Sequence, residues 1–167
     1  MRRLPTSLAI ALVAISLAAC RGTSPDAVEQ QAMQRDADYW QIDQIEKNFH
    51  EATTTKDIGE MMALWAPNAT LTVGPGVTAS GIEEIRRFWL EKSIAFKPET
   101  HWISDHPAYK LEITVDGDRG TLHFECHYVD YDNSKVVYAT SGDIDVARID
   151  GRWLITNMVG ATTELNP

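Results

Sequence analysis

Between Arg35 and Thr55 the apolar side chains Ile42, Ile45, Phe49 and Ala52 recur three and four positions apart, with acidic and amide residues between them; the spacing predicts one amphipathic helix. Asp57-Ile58-Gly59-Glu60 then has the form of a capping box, an Asp N-cap with Glu three later, and predicts a short helix through Trp65. After Pro67, Ala69 to Val73 reads as a short strand rich in β-branched residues, stopped by Gly74-Pro75-Gly76. Ser80-Gly81-Ile82-Glu83 repeats the capping pattern and predicts a third helix carrying Ile82, Ile85, Phe88 and Trp89, in a region that Pro98 ends. Beyond residue 99 the period changes to two. Leu111, Ile113 and Val115 alternate with Glu112 and Thr114, Asp116-Gly117-Asp118 turns the chain, and Leu122, Phe124, Cys126 and Tyr128 alternate with His123, Glu125 and His127. Turns at Asp132-Asn133-Ser134 and Asp150-Gly151 separate Val136 to Ile149 from Trp153 to Val159. Three helices followed by a meander predict an α+β domain with the helices on one face of a strongly curved antiparallel sheet.

The N-terminus follows different rules. Met1-Arg2-Arg3 is a positive leader, Leu8 to Ala18 is an uncharged apolar run too short to span a bilayer, and small residues precede Cys20, the pattern of a bacterial export signal. Leu17-Ala18-Ala19-Cys20 resembles a lipobox, which implies cleavage after residue 19, a diacylglycerol-modified Cys20 and a place in the bacterial cell envelope on the exported side of a membrane. Residues 20–34, with Gly22, Thr23, Ser24 and Pro25 followed by Glu and Gln, read as a tether, and residues 35–167 as the domain. With Cys20 assigned to a lipid, Cys126 has no intrachain partner and no disulfide framework is expected. Loss of the leader removes two of 15 basic residues against 24 acidic ones and moves the net charge from −9 to −11. An acidic surface of this kind excludes nucleic acid as a partner and fits a solvated exterior.

Five pieces in order resemble the SnoaL-like branch of the nuclear transport factor 2-like superfamily: Ile45-x-x-x-Phe49; Asp57-x-x-x-Met61-x-x-Leu64-Trp65-Ala66-Pro67-Asn68-Ala69; Gly81-x-x-x-Ile85; Val115-Asp116-Gly117-Asp118; and Arg148-Ile149-Asp150-Gly151-Arg152-Trp153. The resemblance spans about residues 36–163 and implies a cone with a pocket between the helices and the concave sheet face. Its lining is expected from Phe49, Thr54, Trp65, Trp89, Trp102 and Tyr128. Dehydratases, dehydrochlorinases and ketosteroid isomerases of this superfamily move a proton without a cofactor, using a His beside a carboxylate. His101 falls at the position of their base; the position of the orienting Asp is occupied by Thr54, which cannot orient an imidazole by charge.

Two functions therefore remain open at this stage. One is a lipid-anchored domain binding a small apolar molecule or a protein partner, with a homodimer through the open sheet face as one such assembly. The other is a cofactor-independent lyase or isomerase with His101 as general base and Tyr128 or Trp102 assisting. His123, Glu125 and His127 share one strand face, which reads as a polar exterior rather than a metal site. Cys126 lies on the opposite face with Leu122, Phe124 and Tyr128 and reads as a buried small hydrophobe. No Gly-x-Ser-x-Gly elbow or phosphate-binding loop is present.

Overall fold

The computed structural model describes residues 24–105 and 110–165. Its longest helix, α1 (Pro25–Thr55), starts where Ser24 in extended backbone accepts a hydrogen bond from the Ala27 N–H, with Pro25 in the first turn. It ends at Lys56, whose left-handed backbone (φ 57°) turns its N–H to the Ala52 carbonyl. The hydrophobic period places the helix start at Arg35; it begins at Pro25 instead, because the cap and the proline act locally and need no apolar stripe. None of the side chains from Pro25 to Ala37 is buried, so the expected tether is helical in its second half. Cys20 and the leader lie outside the described residues.

In α2 (Ile58–Ala63), Asp57 caps as expected, accepting from Gly59 N and Glu60 N at 2.8 and 2.9 Å. The reciprocal half of the box is absent, since Asp57 N donates to Ala52 O. The cap of α3 (Ile82–Arg87) is shifted one residue from the expected box: Gly81, at φ 82°, is the N-cap, and Glu84 rather than Glu83 reaches back to Ser80 N. A π-helical turn, Phe88–Lys92, and a 3-10 turn, Ile94–Phe96, continue α3.

Seven strands follow or interleave: β1 (Trp65–Val73), β2 (Val77–Ser80), β3 (Trp102–Asp105), β4 (Leu111–Asp116), β5 (Arg119–Asp130), β6 (Val136–Ile149) and β7 (Arg152–Glu164). They form one sheet in the order β2-β1-β7-β6-β5-β3, with β4 pairing the first half of β5 and β3 its second half. The sheet is mixed, not wholly antiparallel, because β1 and β7 run parallel. Hairpin turns dictate direction only between neighbours in sequence, so nothing local signals this pairing. The short return strand β2, beyond Gly74 and Gly76, is likewise unforeseen. Bulges in β1, β6 and β7 bend the strands and give the sheet its curvature.

Helix α1 lies across this sheet. Ile42, Ile45, Phe49 and Ala52 are buried with Leu122, Phe124, Ile144 and Ile155, and Cys126 is buried among them. Trp40, on the other side of α1, is 63% exposed and plays no part in the core.

A buried carboxylate fastens the helix. Asp38, 4% exposed, meets the Arg148 guanidinium at 2.6 Å and accepts from Trp153 Nε1 at 3.3 Å and Gln34 Nε2 at 3.1 Å. Arg148 also bonds Asp118 and stacks 4.8 Å above the Trp153 ring. Burial alone would raise the Asp38 carboxyl, but the bonds from Arg148, Trp153 and Gln34 hold it below the usual carboxylate range. Its stabilisation is thus complete above the carboxylate range of an unfolded chain, about pH 4, and disappears as pH falls through the lower folded value. Asp38→Asn should cost on the order of 3 kcal/mol in urea unfolding at pH 7, and the two proteins should converge as the solution is acidified.

A candidate ligand cavity and the polar row behind it

The concave face of the sheet and the irregular end of the third helix enclose a cavity of about 290 Å³. This is the small end of the range for ligand sites. Leu71 of β1, Phe124 of β5 and Met158 of β7 form an apolar floor, with Phe49 of α1 and Trp89 of the π-helical turn opposite. Gly142 of β6 sets the depth of that floor. A Cβ there would come within 2.8 Å of the Phe124 ring and 3.0 Å of the Met158 methyl, so only glycine lets both side chains lie across the strand. Tyr128, Thr140 and Thr162 bring hydroxyls to the wall. Burial, helped by the neighbouring Cys126 thiol, pushes the Tyr128 phenol well above its ordinary value, so it stays a neutral donor.

The lining includes Phe49, Trp89 and Tyr128 of the expected residues. Trp102 stands one layer back, stacked on Tyr128 at 5.6 Å and tilted against Tyr138 at 5.0 Å. Trp65 is buried in the core away from the cavity, its indole N–H without a hydrogen-bond partner among the described residues. Thr54 is engaged elsewhere: its hydroxyl accepts from Ser104 N at 3.0 Å, pinning β3 to the end of α1.

His101 is not brought to the cavity. It precedes β3, where Trp102 and Ser104 face the interior and His101 and Ile103 face solvent. Its side chain is 64% exposed, with Nδ1 3.3 Å from an Asp132 carboxylate oxygen. A base in water lacks the dry setting that the family comparison led us to expect. Asp43, on the same helix as Thr54, is paired with Lys47. The Asp105 side chain and His106 lie outside the described set. On the outer sheet face His123 pairs with Asp143 at 2.7 Å and Glu125 with Lys110 at 2.8 Å; no group suited to a metal ion occurs among the described residues.

The sequence reading passed over His50. Asp38, Ile42, Glu46 and His50 form a row of buried residues at four-residue spacing along α1. Glu46 and His50 are each 1% exposed. His50 Nε2 contacts Glu46 Oε1 at 2.8 Å, an ion-pair contact rather than a well-aligned hydrogen bond, and His50 Nδ1 lies 2.5 Å from Ser104 Oγ. Ser104 Oγ is in turn 3.9 Å from Cys126 Sγ. The detectable signal was ionisable residues at i, i+4 in register with Ile42. Carboxylate, imidazole and hydroxyl in line make a proton path in principle. Here it is closed off, with the Phe49 and Phe124 rings packed edge-on to His50 and neither His50 nor Ser104 in the cavity lining. The arrangement anchors β3 beneath α1. Ser104→Ala removes the hydroxyl paired with His50 Nδ1 and should cost about 1–3 kcal/mol in chemical unfolding; His101→Ala should leave stability within ~0.5 kcal/mol of wild type.

Helices packed on a curved mixed sheet define an NTF2-like, cystatin-like fold. Residues 34–159 match the SnoaL-like domain model, and the chain belongs to that family. Among solved structures it is similar to the hexachlorocyclohexane dehydrochlorinase LinA-type3 from Novosphingobium barchaimii (17% identity, 81% of this chain and 94% of that one, TM-score 0.66). It is also similar to an NTF2-like protein from Novosphingobium aromaticivorans (13% identity, 83% and 89%, TM-score 0.65). A third is a cystatin-fold protein of unknown function from Nostoc punctiforme (18% identity, 76% and 92%, TM-score 0.64). No curated protein matches the chain.

Proposed function

We propose that this is an exported, lipid-anchored domain that binds a small, mainly apolar molecule in the cavity between Phe49, Trp89 and Phe124. The observation that carries the reading is the composition of the wall: no carboxylate and no imidazole is among the cavity's described lining residues, and its one buried acidic proton, that of Tyr128, is held on. Apolar walls with a few placed hydroxyls suit retention of a ligand. Removal of a proton from carbon needs an acceptor within hydrogen-bond reach.

A direct test fills the space. Gly160 belongs to the lining, and a Cβ there would meet nothing closer than 3.6 Å, so a larger side chain can enter the cavity without straining the strand. The neutral fluorophore 1-aminoanthracene should bind the wild-type protein with a rise in emission, and Gly160→Leu should abolish the rise while the melting temperature stays within a few degrees. Undiminished binding by the Leu variant would remove the ligand from this cavity.

The fold neighbours favour a second reading, since one is a dehydrochlorinase. In that case the chain would act as a cofactor-independent lyase or isomerase. With His101 in solvent, the buried imidazole among the described residues is that of His50, reached only if Phe124 swings aside. Turnover abolished by His50→Gln and untouched by His101→Ala would favour the enzyme over the binding domain.

The envelope location rests on the leader and Leu17-Ala18-Ala19-Cys20. The anchor of this proposal is the acyl chains on Cys20; no helix among the described residues is long and apolar enough to cross a membrane. Cys20→Ala should lose both palmitate label and membrane sedimentation. Label retained in the variant would refute the anchor.

A further inference from the structure

Two faces of α1 are taken up by the domain. Ile42, Ile45 and Phe49 meet the sheet, and Val28, Gln31 and Arg35 lie beside the β4–β5 turn. A third face carries Met33, Ala37 and Trp40, four and then three positions apart, which makes one continuous stripe on a helix. All three are exposed, Met33 at 60% and Trp40 at 63%. Phe49, nine positions or about two and a half turns beyond Trp40, is on the opposite side and lines the cavity. The stripe and the cavity therefore flank one helix.

Trp40 also borders a groove with Leu64 and Arg152. Arg152 is exposed; it donates to the Ala63 carbonyl at 3.1 Å and has no ion pair among the described residues. An indole, apolar over most of its surface with one donor, beside a guanidinium that lacks a counter-charge suits the boundary between hydrocarbon and phosphate, where tryptophan rings settle at headgroup level.

The chain ahead of the helix sets what lies within reach. Cys20 to Ser24 is four residue steps, at most about 14 Å. From Ser24, Met33 is about 14 Å and Trp40 about 24 Å along the helix axis. An acylated Cys20 thus keeps the start of the rod close to its bilayer, and laying the rod down brings the stripe onto that surface. Tethering raises the local concentration to millimolar or above, so a contact too weak to hold a free protein is populated. Glu29 and Asp36 flank the stripe and turn its preference to zwitterionic phospholipid.

We propose that α1 docks lengthwise on the phospholipid surface that holds Cys20, with Met33 and Trp40 in the headgroup layer, Arg152 beside the phosphates and the cavity on the far side of the helix. This rests on the lipid anchor proposed above.

Trp40 supplies the probe, since Trp65, Trp89 and Trp153 are buried and Trp102 is half-buried against Tyr128. The full acylated chain is reconstituted into vesicles of dioleoylphosphatidylcholine or of its dibrominated analogue, whose bromine quenches an indole on contact. The brominated lipid should remove up to about a fifth of the emission, the share of one tryptophan in five. Trp40→Tyr should erase the difference between the two lipids. Met33→Glu should shrink it roughly threefold or more, because a carboxylate in the stripe opposes burial in lipid. Both variants should sediment with the vesicles as the wild type does. Equal emission from both lipids in a chain that sediments would overturn the docked helix and leave the anchor standing, as would a difference that survives Trp40→Tyr or is unmoved by Met33→Glu. A wild-type chain left in the supernatant would overturn anchor and docking together.

Discussion

The fold depends on a helix that buries polar side chains. Along one row of α1, Asp38, Glu46 and His50 are buried like Ile42 between them, and a polar group in such a place is tolerated only with a partner in reach. Each has one, and the partners come from different parts of the chain: Arg148 and Trp153 from the last hairpin for Asp38, Ser104 from β3 for His50, and His50 for Glu46. A row of leucines would hold α1 against any suitably apolar sheet. These pairings specify one angle and one register, because a shift of one helical turn would strand every buried polar group at once.

With the helix fixed at both ends of its packed half, the sheet is free to curve away at the other end, and the cavity opens there. Its roof is made of short, irregular turns, a six-residue helix followed by a π-helical and a 3-10 turn, which do not fill the concavity as a regular helix would. The floor is kept low by Gly142, which lets Phe124 and Met158 lie flat. The space follows from how these elements meet, and its walls belong to the same cluster that stabilises the domain.

Much of this was legible in the sequence where chemistry is local. The stripe Ile42, Ile45, Phe49 and Ala52, the alternation from Leu122 to Tyr128, and the turn at Asp150-Gly151, where both residues take positive φ (50° and 78°), need only their neighbours to be understood. The parallel joining of β1 to β7 was illegible because it pairs segments more than eighty residues apart. Of the site, Phe49, Trp89 and Tyr128 could be picked out as large side chains on inward positions. His101 was singled out by its match to the family's base position; a match along the sequence does not fix which parity of the four-residue β3 faces in, and a one-residue slip exchanges the faces. His50 was overlooked because a polar pair within an apolar helix reads as its flank until the opposing Ser104 is in place.

The first turns of α1 have a mechanical consequence. From Pro25 to Ala37 the helix runs about 20 Å without burying a side chain, lying beside the β4–β5 turn only along one flank from Val28 to Arg35. An isolated helix of that size would be marginal in water, but this one is the continuation of a packed segment, so the unfavourable nucleus is already formed and only propagation remains. The result is a stiff rod set in the domain. A rotation of about 10° where the rod begins, near Ser24, moves the far end of its 20 Å by about 3–4 Å and turns the domain with it as one body, so the rod steers the cavity mouth like the handle of a ladle.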